Sequence, residues 1–467
     1  MKIKVTGLLL LASALISGCT ANHLEIFPEL SDPALRSKQI APEALRGDVD
    51  AFVSGVVERH PDLTRYADLD TVYQQAESLK AELNAPMTRT AFFQKIGALS
   101  HLFNDGHTFL IWPYQEYQDL QEAGSLTFPF HLDVFPEGVF LKYDYHFKDK
   151  ALPKGSQLVS INGIDVEAIF TKTQQFVGGE TETLRKHTVA SRFPMMLWAV
   201  FGFVGQFDVE LNVEGRTEHV SIVQGDDWQQ DSPVSAGENA DFIYKQLDDE
   251  TGYLKVATFD VSPDWFEEFV DSTFLKIKQQ NVKQLIIDVR ENMGGNTDTA
   301  TYLARYLASS PFQMISSLRE RLNADNRGVF NYRGEVGDVL TEQWNEWVEP
   351  VDVEHRFKGN AYVLISPLSY SSAIVFATAV KDNQLATLAG RETGGYANQT
   401  AQGNLFNLPH SELRVYVATR LLVRPGGDLQ VRGVIPDIAV AANRAQIDAG
   451  EDADIAAARK HAETIKK

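Results

Sequence analysis

An alternation of apolar runs and helical stretches, beginning at Gly252, constrains the fold of this chain more than any other feature. Apolar runs of strand length that are bounded by turn residues indicate buried strands, and a helix between two of them indicates parallel pairing. The predicted elements are a strand at Tyr253–Phe259, a helix at Trp265–Gln279, a strand at Gln284–Val289, a strand at Tyr362–Ser366 and a helix at Ser371–Val380. Residues 236–442 are therefore predicted to form an α/β domain.

The rest of the chain divides into segments of different character, as expected for 467 residues at about 100–200 residues per domain. Residues 41–103 carry apolar residues at helical spacing, which predicts a helical N-terminal cap over residues 20–120. Residues 121–235 alternate short apolar runs with turn residues, which predicts a small β-rich domain. Residues 443–467 are rich in alanine and charged residues, and a helical tail is expected there.

One stretch of the β-rich segment, Leu152–Val166, resembles the loop, strand and Asn-Gly turn of a PDZ-like peptide-binding module. An ordinary hairpin closed by an Asn-Gly turn accounts for the same residues equally well. The sequence leaves both interpretations open.

The first nineteen residues have the pattern of a secretion signal. Lys2 and Lys4 precede the apolar run Leu8–Ala12, which is far shorter than the about 20 residues needed to cross a bilayer. The ending Ile-Ser-Gly-Cys resembles a bacterial lipobox, and Cys19 is the only cysteine of the chain. We therefore expect lipidation of Cys19 and an envelope location, with Thr20 favouring the outer membrane; a simple secretory peptide with a chance cysteine is the alternative.

Composition excludes several classes of protein. Hydrophobic residues make up 44% of the chain and charged residues 23%, values typical of soluble globular domains. The formal charge is −20, and removal of Lys2 and Lys4 with the signal leaves −22. Because phosphate binding needs a basic surface, no nucleic-acid partner is expected. The chain contains no His-Glu-x-x-His motif, and neither a metal nor a cofactor is expected.

Two glycines, Gly294 and Gly295, directly follow the predicted strand at Gln284–Val289. Glycines at such a turn let backbone amides point into a cleft, as an oxyanion hole requires. Further on, Ser371 lies between a strand and a helix, where a hydroxyl group suits a nucleophile. Taken alone, the first motif also fits a plain strand-to-helix turn, and the Ser371-Ser372 pair fits a helix N-cap.

Together these residues resemble the tail-specific (C-terminal processing) serine protease family. The segment Asp288-Val-Arg-Glu-Asn-Met-Gly-Gly295 is similar to that family's Asp-x-Arg-x-Asn-x-Gly-Gly block. The resemblance implies a multidomain α+β protein with a ClpP/crotonase-like α/β catalytic domain, a helical N-terminal cap and a PDZ-like β domain. It also implies that Ser371 is the nucleophile and that the amides of Gly294, with Gly295 beside it, and Ser372 form the oxyanion hole. Ile374 departs from the pattern, because family members often carry an acidic residue there.

The resemblance also indicates the general base. The bacterial branch of the family uses a lysine about twenty-five residues after the serine, but Tyr396 occupies that place here. The stretch Asp105-Gly-His-Thr108 instead resembles the signature of the tricorn-core-like, retinoid-binding-protein-like branch, which implies His107 as the base.

That branch places a glutamate before the closing Gly-Val-x-Pro-Asp motif, but the corresponding residue here is Gln430. The resemblance therefore implies that Gln430 orients His107, with Glu392 or Asp105 as possible substitutes.

The expected function is a serine-type peptidase of the cell envelope that acts on polypeptides. A catalytically weak or inactive lipoprotein that binds peptides or hydrophobic ligands is the first alternative, and a purely structural lipoprotein is the second. The sequence carries no signal of oligomeric state.

Overall fold

A computed structural model describes residues 25–231, 240–328, 332–441 and 452–465. The expected secretion signal and Cys19 lie outside these ranges. Within them, no helix combines the length and the apolar character that crossing a bilayer requires.

The N-terminal half begins with helices and continues into a mixed region. Its helices are α1 (Pro42–Arg59), α2 (Leu69–Glu82), α3 (Arg89–Ile96), α4 (Tyr114–Glu122), α5 (Val166–Thr173), α6 (Glu182–Ser191) and α7 (Phe193–Phe201). Its strands are β1 (Thr108–Leu110), β2 (Leu132–Phe135), β3 (Gly138–Leu141), β4 (Tyr145–Phe147), β5 (Lys150–Leu152), β6 (Gln157–Ile161), β7 (Ile164–Asp165), β8 (Gln206–Val213), β9 (Arg216–Val223) and β10 (Gln229–Gln230).

The C-terminal half alternates strands and helices. Its strands are β11 (Phe242–Gln246), β12 (Thr251–Val256), β13 (Gln284–Asp288), β14 (Ser317–Arg321), β15 (Val339–Gln343), β16 (Asn360–Ile365), β17 (Thr387–Gly390), β18 (Gln399–Asn407), β19 (Arg414–Val423) and β20 (Ile438–Ala439). Its helices are α8 (Pro263–Gln279), α9 (Thr297–Arg305), α10 (Ser372–Asp382) and α11 (Ala453–Ile465).

The predicted parallel sheet forms the centre of this half. Its strand order is β11-β12-β13-β16-β17-β20, and only the edge pair β11–β12 is antiparallel. Side chains alternate between its faces, as strand geometry dictates. Leu285 and Ile287 pack in one cluster with α8, α9 and α10, whereas Ile286 packs with Ala458 and Ala462 of α11 on the other face. The α/β prediction is therefore confirmed.

A second, antiparallel sheet joins the two halves of the chain. Its order is β1-β19-β14-β15, and β18 also pairs with β19. In the β1–β19 pair, Thr108 lies opposite Val417 and Leu110 opposite Val415. The short strand that follows the Asp-Gly-His-Thr motif is thus fixed to a strand from the far end of the sequence.

The segment at residues 121–235 contains a sheet of order β2-β3-β6-β8-β9, with β7 paired to β6. The β6–β7 hairpin turns through Asn162 and Gly163, whose φ angles of 52° and 76° are those of a tight Asn-Gly turn. The expectation of a β-rich segment is wrong for the stretch between β7 and β8, which forms α5, α6 and α7. The run at Phe193–Phe201 is apolar throughout, so its sequence has no period that distinguishes a buried helix from a strand.

The N-terminal helices and this mixed region share one apolar core. The same core takes in Leu413, Val415 and Val417 around β19. The helical cap is therefore packed continuously against both its neighbours.

A cluster of charges links α11 to the end of β13. The Arg290 guanidinium contacts Asp288 at 2.6 Å, Asp452 at 2.7 Å and Asp454 at 2.8 Å. Burial opposes the charge on Arg290, but these carboxylates raise its pKa. The four side chains hold the C-terminal helix at the start of the Gly294–Gly295 loop.

Replacing Arg290 with methionine is expected to lower the free energy of unfolding by about 3 kcal/mol or more, because Asp288 and Asp454 would remain buried without their cation. Chemical denaturation measures the change. The matched control is Arg459→Met, which breaks the more exposed pair between Arg459 and Asp248 and should cost less than about 1 kcal/mol. Equal losses in the two variants would contradict a structural role for the cluster.

Candidate active site

Ser371 lies at the sharp turn between β16 and α10. Its φ and ψ are 53° and −123°, a strained combination for a residue with a Cβ atom. The turn is held by hydrogen bonds, because the Tyr370 amide donates to the Asn292 carbonyl at 2.9 Å and the Ser369 hydroxyl donates to the Val289 carbonyl at 2.7 Å. These hydrogen bonds hold the strained turn in place and so fix the position of the Ser371 side chain.

His107 reaches this serine from the other half of the chain. A 3₁₀ helix at Gly97–Phe103 ends at Asn104 in a left-handed conformation, and β1 then pairs with β19. The loop between them places His107 Nε2 at 3.0 Å from Ser371 Oγ. The structure thus brings together the two residues that the resemblance selected.

The hydrogen bonds at Nδ1 define the tautomer of His107. Nδ1 lies 3.1 Å from Thr400 Oγ1 and 3.1 Å from the Tyr370 hydroxyl. The Thr400 hydroxyl donates to Asp105 Oδ1 at 2.5 Å, and the Tyr370 hydroxyl donates to Glu180 Oε1 at 3.1 Å. Each hydroxyl group donates its single proton to a carboxyl group, so it can only accept a hydrogen bond from His107. Nδ1 is therefore the donor and carries the ring proton. The Nε2 lone pair then faces the serine hydroxyl.

The buried carboxylate of Asp105 anchors this arrangement. Burial alone would raise its pKa, but the hydrogen bond from His60, with a further one from Thr108, lowers that pKa to about 2. His60 Nε2 lies 3.1 Å from Asp105 Oδ2, and the Thr108 hydroxyl donates to the same oxygen at 2.6 Å. Asp105 is therefore ionised at neutral pH.

Burial also determines the protonation of His107. The ring is only 8% exposed, and desolvation lowers its pKa below 6.5 although the charge of Asp105 opposes the shift. His107 is therefore neutral at neutral pH, as a proton acceptor must be.

Glu180 supplies a second buried carboxyl group behind the histidine. It is 6% exposed, and burial together with the charge of Asp105 raises its pKa to about 8. The preceding Gly178 makes this position possible, because a Cβ atom there would lie 2.4 Å from the Asp105 carbonyl oxygen. Glu180 is mostly protonated at neutral pH, so the two hydrogen-bond arms from His107 end in one charged and one neutral carboxyl group.

The glycine loop has a different geometry from the one expected. The Gly294 amide donates to Asn292 Oδ1 at 2.8 Å, so it already has an acceptor in this conformation, and its role in an oxyanion hole stays a prediction. Gly294 is required for space, because a Cβ atom there would lie 2.5 Å from the Ser371 Cβ. The amides of Gly295 and Ser372 have no acceptor among the described residues. Gly295 lines the cleft beside Ser371 and is exposed to it.

Gln430 was expected to orient His107, and that role stays a prediction. Gln430 is exposed, its backbone amide donates to Asp428 at 3.0 Å, and no described hydrogen bond joins its side chain to His107. Glu392 instead accepts from the Gly433 amide at 3.0 Å. Of the residues considered from sequence, Asp105 comes nearest to the role, acting through Thr400.

Several members of the site carry no sequence signature. Thr400, Tyr370, Glu180 and His60 come from four separate parts of the chain, and none stands in a motif of its own. Tyr396 packs against the Tyr66 ring with centroids 5.7 Å apart, and no described hydrogen bond joins it to Ser371. Ile374 is fully buried in the core of the α/β half.

The catalytic candidates open into a cleft of about 430 Å³. Most of its wall is apolar or aromatic, with contributions from Phe93, Phe109, Trp112, Phe176, Met195, Met196 and Tyr416. The described residues include no cluster of three His, Cys, Asp or Glu side chains arranged to hold a metal ion. A serine, a neutral histidine and free amides at the edge of an apolar cleft have the chemistry of acyl transfer.

The fold and the geometry of this site resemble those of α/β serine hydrolases that take their histidine from a separate N-terminal region. Residues 250–440 match the model of Peptidase family S41. The tail-specific protease of Haemophilus influenzae is 24% identical over 191 residues, which is 40% of this chain and 24% of that protein. The chain thus matches about a quarter of the length of this relative.

Solved structures resemble the whole architecture. Mature CPAF complexed with lactacystin superposes with a TM-score of 0.65 at 15% identity, covering 91% of this chain and 98% of that chain. A putative peptidase from Parabacteroides merdae gives a TM-score of 0.51 at 16% identity, covering 91% and 97%. The likeness extends beyond residues 250–440 and includes most of the N-terminal half.

The raised pKa of Glu180 predicts a pH-dependent stability. The folded state holds this proton up to about pH 8, whereas the unfolded chain releases it near pH 4.5, so Glu180 makes the wild type less stable as pH rises through that window. Glu180→Gln should therefore gain stability relative to the wild type between pH 4.5 and pH 8.5, as measured by chemical denaturation. Glu182→Gln, at an exposed neighbour, is the control. A constant difference across the window would contradict the buried, protonated state.

Proposed function

We propose that this chain is a serine-type peptidase that cleaves polypeptides by acyl transfer. The observation that carries the proposal is the 3.0 Å contact between Ser371 Oγ and His107 Nε2. A serine hydroxyl is a weak nucleophile until a positioned base accepts its proton. The hydrogen bonds at Nδ1 supply that condition because they fix the tautomer and the ring orientation.

The proposed reaction has two half-reactions. Ser371 Oγ attacks the peptide carbonyl while His107 accepts its proton, and the Gly295 and Ser372 amides donate to the oxyanion that forms. His107 then gives the proton to the leaving amine, and the carbon–nitrogen bond breaks to leave an acyl-enzyme. Water then gives a proton to His107 and attacks the ester carbonyl. The bond from the carbonyl carbon to Ser371 Oγ breaks, the carboxylic acid product leaves, and His107 returns the proton to Ser371 Oγ.

The orienting group in this proposal is Asp105, which acts through the Thr400 hydroxyl. The ionised carboxylate favours the imidazolium that forms during each proton transfer, because a nearby negative charge stabilises the charged ring. This arrangement replaces the direct carboxylate–histidine contact of the serine protease triad with a relay through one hydroxyl. It supports assignment to the histidine-dependent, tricorn-core-like branch of the family, in which Tyr396 has no catalytic role.

The alternative is a ligand-binding protein of the same fold. A fluorophosphonate probe separates the two, because it reacts only with an activated serine. The strained turn at Ser371 and the fixed tautomer of His107 favour the peptidase, since simple binding requires neither.

We also propose that the protein is lipid-anchored in the cell envelope through Cys19, with its body facing the periplasm and the outer membrane as the expected destination. The support is the sequence alone, namely the signal-like residues 1–18 and the lipobox-like ending at Cys19.

Ser371→Ala and His107→Ala are each expected to lower kcat/KM by about 10³-fold or more, and the double variant should be no worse than either single variant. The reason is that the two side chains act as one unit, so removal of either disables both. Peptide hydrolysis rates measure the effect, and far-UV circular dichroism checks that the fold is retained.

The matched control is Tyr396→Phe, which should keep nearly full activity because the phenol does not contact Ser371 or His107. Near-full activity in His107→Ala with none in Ser371→Ala would place the base elsewhere. Full activity in Ser371→Ala would refute the peptidase proposal.

Growing cells supplied with a fatty-acid analogue should incorporate the label into the wild type and not into Cys19→Ala, since no other cysteine is present to accept the lipid. In-gel detection of the label on the purified protein is the measurement. Label that persists in Cys19→Ala would contradict the anchor.

A further inference from the structure

The first described residues of the chain lie at the mouth of the active-site cleft. Residues 25–31, the N-terminal strap, form neither a helix nor a strand. Ile26 lines the same cleft as Ser371. The ring of the next residue, Phe27, packs against the Trp112 ring with centroids 5.8 Å apart, and Trp112 also lines the cleft. The strap is therefore part of the rim of the catalytic cleft.

Hydrogen bonds fix the strap to the body of the protein. Arg414 of β19 donates from Nε to the Glu25 carbonyl at 3.0 Å. The Pro28 carbonyl accepts from the Tyr114 hydroxyl at 2.6 Å and from the Gln115 side chain at 3.1 Å. The strap thus has a defined position beside the cleft, because its carbonyl groups have partners on β19 and α4.

Two adjacent apolar side chains of the strap are exposed. Ile26 is 46% exposed and Phe27 is 51% exposed. Exposed apolar side chains that lie together at the rim of a cleft indicate contact with another molecule or with a membrane. Two side chains are too few to hold a partner by themselves, since stable interfaces bury far larger areas. Whatever covers them has to be kept there by a further attachment.

The proposed lipid anchor supplies such an attachment. Cys19 precedes Glu25 by six residues, and an extended chain spans at most about 3.6 Å per residue, so the lipidated residue lies within about 22 Å of the strap. A compact chain of this length has a radius of gyration of about 23 Å and is therefore about 60 Å across. The tether is much shorter than the protein is wide. It keeps the face that carries the strap, rather than the opposite face, next to the bilayer.

We propose that the mouth of the active-site cleft lies against the membrane surface, and that the substrates are polypeptide segments next to a membrane anchor. Ile26 and Phe27 enter the headgroup region, as apolar side chains of membrane-bound proteins do, while the lipid on Cys19 provides the attachment. This inference rests on the proposed peptidase function and on the proposed anchor, and it adds the class of substrate.

Confinement to the membrane surface determines which peptide bonds are reached. An enzyme and a substrate anchored in one bilayer meet at a raised effective concentration, but only if both tethers let the cleft and the bond coincide. Because the tether at Cys19 spans about 22 Å at most, bonds near the bilayer are favoured over bonds far from it. The formal charge of the chain is −20, so an anionic surface would repel it and the contact is expected on neutral lipid.

The first test measures the orientation of the protein without any hydrolysis. Cys19 is the only cysteine of the chain, so one added cysteine is the only thiol left to label once Cys19 carries lipid. Glu29→Cys places a nitrobenzoxadiazole fluorophore on the strap. Asp249→Cys, the matched control, replaces another exposed acidic residue just before β12, at the amino ends of the parallel strands, whereas Ser371 follows the carboxyl end of β16.

Both proteins also carry Ser371→Ala and are placed in phosphatidylcholine vesicles that contain lipids with a nitroxide on the headgroup. The fluorophore at position 29 should lose most of its emission, because nitroxides quench only at close range, and the one at position 249 should lose little. Phe27→Ser should reduce the quenching at position 29, whereas Val353→Ser, at an exposed apolar residue of the loop before β16, should leave it unchanged.

The second test measures which bonds are cleaved. Two substrates carry the same cleavable peptide, the one that Cys19→Ala hydrolyses fastest in a randomised pool, and each is linked to a phosphatidylethanolamine. The peptide follows the lipid directly in the near substrate, whereas about twenty prolines separate them in the far substrate and extend to about 60 Å. The same two peptides without lipid are the control for any effect of the prolines.

The lipidated wild type in phosphatidylcholine vesicles should hydrolyse the near substrate about tenfold or more faster than the far substrate. The two lipid-free peptides should be hydrolysed at the same rate. Insertion of a flexible Gly-Ser linker of about forty residues after Ala21 should remove most of the preference and lower the quenching at position 29, since such a linker reaches about 30–40 Å.

The proposal is overturned if the fluorophores at positions 29 and 249 are quenched equally, if Cys19 carries no lipid, or if the wild type hydrolyses the near and far substrates at the same rate. Equal quenching would leave a protein partner as the occupant of the exposed strap.

Failure of the peptidase proposal remains distinguishable from failure of this one. An unreactive Ser371 shows as absent fluorophosphonate labelling and absent hydrolysis of the randomised pool. The quenching test is independent of that outcome, because it uses Ser371→Ala. Hydrolysis of the lipid-free peptides together with equal rates on the near and far substrates would refute the membrane-proximal substrates alone.

Discussion

The buried carboxylate of Asp105 is the interaction around which the site is organised. It contacts His60 after α1, the amide of its neighbour His107, the Thr108 hydroxyl at the start of β1 and the Thr400 hydroxyl in β18. His60 Nδ1 accepts from the Asp62 amide at 3.2 Å, so its Nε2 donates to Asp105. Without these donors a charge at this depth would be costly, and with them it fixes the positions of three separate segments.

The two arms behind His107 differ in the charge that they present. The Thr400 arm ends in the ionised Asp105, whereas the Tyr370 arm ends in Glu180, whose pKa is about 8. The charge of one buried carboxylate raises the pKa of the other, so only one of the two is ionised at neutral pH. Asp105 is the ionised one because it accepts more hydrogen bonds than Glu180 does. The imidazole thus has one strong electrostatic partner and one neutral hydrogen-bond partner that holds its plane.

Local pattern in the sequence predicted the α/β half well. Three elements match their predicted bounds to within a residue or two: the strands Gln284–Asp288 and Asn360–Ile365 and the helix Ser372–Asp382. Short apolar runs bounded by turn residues form buried strands, which explains the agreement for the two strands. Motif resemblance selected Ser371 and His107, which the structure places in contact although they lie 264 residues apart.

Sequence reasoning failed where function depends on contacts between distant segments. Gln430 was selected by spacing from a motif, yet position 430 lies on an exposed loop, and Thr400 and Tyr370 contact His107 instead. The Gly294 amide was expected to donate to an oxyanion, but it donates to the side-chain oxygen of Asn292, two residues earlier. Helix α7 was missed because its run Phe193–Phe201 is apolar throughout and has no period that distinguishes a helix from a strand.

The pairing of β1 with β19 also affects when a competent site can exist during synthesis. His107 is held by a strand that ends at Val423, so an emerging chain that already contains both His107 and Ser371 still lacks the strand that aligns them. Pairing over such a sequence separation forms late, because the loop between the partners must be closed first. On the proposed function, a competent Ser371–His107 pair therefore forms only after β19 has been made.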